Sequence, residues 1–132
     1  MNNSVGYARP ARFVNPVALG TDGIGADMVD EFRLAYACHR DVDVAVSPEM
    51  AWGWLATGWD LFPEARSDRV IWNHQPMDPW HLAFTPGVSP VEVTVEGEVV
   101  LADGSPTRVD PDEIRSRAAE EAARLHERLA GP

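Results

Sequence analysis

Along the chain, the spacing of apolar residues changes from one stretch to the next, and each spacing predicts a different element. Residues 1–15 are polar and irregular, with room for a short helix. Val17, Ala18 and Leu19 then form a continuous apolar run, which predicts a strand buried on both faces, as in a parallel sheet. The run stops at Thr21-Asp22-Gly23. Met28, Phe32, Ala35 and Tyr36 recur at helical spacing, and Asp27 can cap that helix. Ser47, Pro48 and Glu49 have the chemistry of a second helix start, as N-cap, first helical residue and first-turn acid; Gly58 is a stop. "DRVIW" at 68–72 predicts a short strand. "NHQPMDPWHLAFTPG" predicts a loop, because Pro76, Pro79 and Pro86 remove backbone donors.

The clearest β pattern follows. Val91, Val93 and Val95 alternate with Glu92, Thr94 and Glu96; Gly97 permits a tight turn, and Val99 to Leu101 return. A last helix begins at Asp110-Pro111, with Glu113 in capping-box position, and carries one apolar stripe of Ile114, Ala118, Ala122, Leu125 and Leu129. There are no internal repeats and no low-complexity linker. The predicted order is strand, helix, helix, short strand, loop, hairpin, helix. One parallel-type strand with one crossover helix is not a sheet, so the first part has the form of the tail of an α/β repeat.

Charge and size narrow the classes. The 132 residues suit one ordinary domain, and an apolar fraction of 45% supports a packed core. A net charge of −10 without a basic stripe argues against nucleic acid and against anionic membrane as partners. No apolar stretch approaches a bilayer span, and no charged start precedes an apolar core as in a signal peptide. The single Cys38 cannot form an internal disulfide, so a cytoplasmic location is the simplest expectation.

Asp22 has two readings. Asp-Gly is common turn chemistry, but a carboxylate at the mouth of a strand is also where a metal ligand sits. Asp27 reads as a helix cap. His81, between Trp80 and Phe84, reads as a packed histidine or as part of a loop beside an active site. His39 lies near a helix end, where a cation favours the dipole, and His126 lies on a solvated or partner-facing side. Trp52, Trp54, Trp59 and Trp72 read as core, and Cys38 as a buried, inert thiol.

"LGTDG" resembles the end of the last barrel strand in the amidohydrolase superfamily, in the branch of cytosine and guanine deaminases, chlorohydrolases and related aminohydrolases. "MNNSVGYA" resembles the Asn-rich loop before that strand, and "GADMVDEFRLAYACHRD" the helix after it. "SDRVIW" stands where that family runs "ADLVV", and "VTVEGEVVLADG" resembles its closing hairpin. The resemblance implies an α/β fold: the last strand–helix unit of a (β/α)8 barrel over residues 1–60, C-terminal strands of a small β-sandwich over 61–109, and a terminal helix over 110–132. It implies a metal-dependent hydrolase of non-peptide C–N bonds, deaminating a heterocyclic small molecule, with zinc or iron as cofactor.

Of the family's ligands only the aspartate is matched, as Asp22, which the resemblance makes both metal ligand and proton shuttle. No His-x-His occurs; His39, His74, His81 and His126 are isolated. A whole barrel needs about 250 residues. The expectation is a C-terminal fragment, with Met1 an internal methionine, inactive alone. The alternatives are a non-catalytic subunit docking on a barrel-bearing chain, or a folded remnant. Alone, the chain is expected to be partly molten, oligomeric or dependent on a partner such as a complementing barrel chain.

Overall fold

The computed structural model describes residues 9–22, 27–74 and 78–131, and the chain divides into two units. The first comprises Met1–Arg66 and Trp72–Ser89, and the second Ser67–Ile71 and Pro90–Pro132.

The first unit is helical. Helix α1 spans Met28–Arg40. Asp27 caps it as expected, its Oδ1 accepting from the amides of Val29 at 2.8 Å and Asp30 at 3.4 Å. That satisfies two of the donors a helix start leaves without a partner. Helix α2 spans Pro48–Ala56, with Pro48 at its first position. Ser47 makes no capping bond from its side chain; its hydroxyl bonds Glu49 instead, and this contact is the main reason the Glu49 carboxyl is held below its ordinary pKa. The chain does not stop at Gly58 but turns into a short helix α3, Gly58–Leu61.

A fourth helix, α4, spans Pro79–Phe84, where the prolines predict a loop. Pro79 occupies the first helical position, where its missing N–H costs nothing, and Asp78 Oδ1 caps the turn by accepting from His81 N at 2.8 Å. At the other end Arg33 of α1 donates to the carbonyls of Leu82 at 2.9 Å and Thr85 at 2.6 Å. So short a helix is marginal by itself; here both termini are held by side chains, one of them from α1. Asn73 closes the returning segment, donating to Gly87 O at 2.9 Å and accepting from Ser89 N at 3.0 Å.

These helices converge on Val29 and Phe32 of α1, Ala51 of α2, Leu82 of α4, and Val88. Trp52, Trp54 and Trp72 pack against that cluster, with Trp52 edge-on to Phe32 at 6.5 Å between ring centres. Trp59 departs from the expected core role and is 45% exposed, while Cys38 is half-buried rather than buried. The apolar run Val17–Leu19 is half-buried, and Leu19 touches the core, but it forms no strand. A strand exists only as a paired element, and nothing among the described residues hydrogen-bonds to this run as a sheet neighbour.

The second unit holds a four-stranded sheet in the order β1-β2-β3-β4, with β1 at Arg69–Trp72, β2 at Pro90–Val95, β3 at Glu98–Ala102 and β4 at Ser105–Pro106. The pairs β2–β3 and β3–β4 are antiparallel, so the expected hairpin is present and the fold is mixed α/β with an antiparallel sheet. Both turns use two consecutive residues with positive φ: Glu96 at 50° with Gly97 at 82°, and Asp103 at 51° with Gly104 at 73°. These mirror-image turns match the right-handed twist of the strands. Gly97→Ala places a side chain in that left-handed region at a cost of about 1–2 kcal/mol. The expected result is roughly tenfold faster hydrogen exchange at the cross-strand amides of β2 and β3.

Helix α5, Pro111–Ala130, closes the chain. Asp110 Oδ1 accepts from Asp112 N at 2.9 Å and Glu113 N at 3.3 Å, the predicted start. None of the described residues of this second unit is buried, and the helix stripe is open, with Ile114, Leu125 and Leu129 at 50%, 45% and 73% exposure. Among the described residues no helix is long and apolar enough to cross a membrane.

Candidate functional site

Asp22 follows the irregular segment that carries Val17 to Leu19. Leu19 anchors the segment on the helical core, and Asp22 itself is exposed. Its backbone is left-handed, with φ of 58°. Asp tolerates that conformation better than most residues, because its short carboxylate can bond local backbone. Thr21 Oγ1 donates to the Asp22 carbonyl at 3.4 Å, a long contact that bears on orientation more than energy. Gly23 and Gly25, which follow Asp22 in the sequence, lie outside the described residues.

Among the described residues no group of three or more His, Cys, Asp or Glu side chains is placed to hold a metal ion. His81 sits on α4, with its Nδ1 2.9 Å from Asp78 Oδ2. That distance makes an ion pair when the imidazole is protonated, although the alignment is not that of a good hydrogen bond. Asp78 is held below the ordinary Asp pKa, first by the His81 amide and then by the His81 side chain. Beside them Trp80 Nε1 donates to Glu49 Oε1, joining α4 to the start of α2. Both members of the Asp78–His81 pair are open to water, at 49% and 42% side-chain exposure, so their charges are well screened.

His39 departs most from its expected role. It is 3% exposed, and its Nε2 accepts from the backbone N–H of Ala11 at 3.1 Å. Its ring lies 4.8 Å from that of Trp54. Burial, and then the cations Arg9 and Arg12, push its pKa below the usual histidine value, so it serves as a neutral acceptor and not as a cation on the helix dipole. Sequence spacing could not reveal this partner, because Ala11 lies 28 residues away and contributes only its main chain.

The chain matches no family model, and no solved structure matches it.

Proposed function

We propose that this chain supplies the C-terminal part of a metal-dependent aminohydrolase acting on a heterocyclic small molecule, with Asp22 as its one contribution to the metal. The observation that carries the reading is the placement of Asp22. It follows the apolar run Val17–Leu19, is exposed, and has a left-handed backbone ahead of α1. Zinc takes three or four protein ligands, and among the described residues no group of three or more possible ligands is placed to hold a metal ion. The reading therefore requires histidine donors from outside these residues, on a complementing barrel chain or on further sequence of the same protein.

A second reading, a non-catalytic interaction subunit, is favoured by the uncovered stripe of α5. Co-expression with an aminohydrolase barrel lacking its last strand separates the two. The expected result is a co-purifying pair that retains zinc or iron after dialysis and hydrolyses a heterocyclic amine. Asp22→Ala should then lower turnover by about a thousandfold or more, the scale of losing a group that acts on the reacting atoms. A pair that forms but has no metal and no activity supports the interaction subunit. Near-normal turnover in Asp22→Ala refutes the assignment of Asp22.

A further inference from the structure

The contact between His39 and Ala11 joins two parts of the first unit. On one side is the segment around the 3-10 turn Pro10–Arg12, whose residues 11–16 are exposed. On the other is the last turn of α1. Phe13 is 59% exposed and Val14 fully so, so the segment is not fastened by deep apolar burial along its length. Pro10 is its buried anchor. Together with Met50, Gly53, Trp54 and Thr57 of the α2 region, the segment lines an open surface groove.

The chemistry of the contact is conditional on charge. A backbone N–H can only donate, so the His39 ring must offer a lone pair at Nε2 and keep its hydrogen at Nδ1. Protonation places a second hydrogen on Nε2, pointing at the Ala11 N–H. The bond then becomes a donor–donor opposition inside a site with 3% exposure. We propose that His39 is an acid-operated latch, whose protonation releases the segment around Pro10–Arg12 from α1 and from the groove it lines with Trp54.

The charged groups facing the ring set the direction. Arg9 and Arg12, from the strap itself, oppose the imidazolium; Asp43, beyond the end of α1, favours it but is the smallest influence. Arg40 is engaged elsewhere, donating to the carbonyls of Val44 and Val46. The folded-state pKa therefore lies below the value of about 6.5 expected in the unfolded chain. The unfolded or released form binds the proton more readily, so the closed form is fully favoured above that pH and loses ground below it. Acid both breaks the bond and brings a cation next to two arginines, so both effects act in the same direction.

The test is hydrogen exchange across pH 8 to 5, corrected for the intrinsic pH dependence of exchange, with tryptophan fluorescence read in parallel. The expected result is at least tenfold loss of protection at the Ala11 amide below pH 6.5, with α1 and α2 amides unchanged. Trp54 emission should change over the same range, and the change should vanish in Trp54→Phe. His39→Gln keeps an acceptor near the Nε2 position but cannot titrate, and should stay closed at both pH values. The double variant Arg9→Gln, Arg12→Gln keeps the latch and should shift its midpoint to higher pH. Should His39→Gln fail to fold, that shift alone decides the matter. Unchanged Ala11 protection across the range overturns the proposal. So does loss of protection throughout α1 and α2 together with Ala11, or a midpoint that ignores the two arginines.

Discussion

Phe32→Ala should remove about 3–5 kcal/mol of stability from the helical unit, the usual cost of emptying a buried aromatic site. Phe32 is fully buried and meets residues from every large element of that unit: Val29 on its own helix, Ala51 on α2, Leu82 on α4, and the edge of Trp52. The cavity cannot close easily, because α4 is fixed from both ends by Asp78 and Arg33. Few other side chains are fully buried, so little remains to compensate. A domain of this size loses roughly 4–8 °C per kcal/mol. A thermal melt of the variant should therefore fall by more than about 12 °C, or show no cooperative transition. Phe32→Leu should avoid most of the loss, since it keeps the apolar volume nearly filled.

The second large effect concerns α5. A helix in a protein draws most of its stability from packing an apolar face, more than from local propensity. All the side chains of α5 are exposed or, at Pro111, half-buried. Its Asp110 cap and the local pairs Arg115–Asp112 and Arg117–Glu113 add only a few tenths to about 1 kcal/mol each. Amide exchange in α5 should thus be within about tenfold of an unfolded peptide, while interior amides of α1 are protected at least a hundredfold more. Addition of the complementing barrel chain should protect α5 if its stripe is covered in the complex. Strong protection of α5 in the isolated chain would show that its stripe is already covered, most simply by a second copy.

Local chemistry was legible in the sequence; partnership at a distance was not. Asp27 and Asp110 were readable as caps because a cap is decided within four residues. The hairpin at Gly97 was readable because alternation and a turn glycine coincide. Asp103-Gly104 carries an equally strong turn signal, yet the strand after it is only Ser105–Pro106, too short to show alternation. The helix at Pro79–Phe84 was obscured because proline is a breaker inside a helix and a favoured residue at its start, and only the Asp78 cap distinguishes the two. The run Val17–Leu19 has strand composition but no sheet neighbour among the described residues, and pairing is not written in one segment's composition. For the candidate site, the position of Asp22 after an apolar run was visible, while its left-handed backbone and the capture of Ala11 by His39 depend on tertiary placement.

The order in which the chain visits its two units has a practical consequence for dissection. It leaves the helical unit at Arg66, gives Ser67–Ile71 to the sheet, and returns for Trp72–Ser89 before leaving for good. Cleavage after Arg66 therefore strips the helices of α4, Val88 and Trp72, and with them a large share of the core. The shortest continuous piece that keeps all the helical packing is one ending at Ser89, and it carries the strand at Arg69–Trp72 without the neighbour it has in the sheet. Such a piece exposes a bare strand edge as a template for association. A soluble version of the helical unit calls instead for a short Gly- and Ser-rich bypass joining Arg66 directly to Trp72.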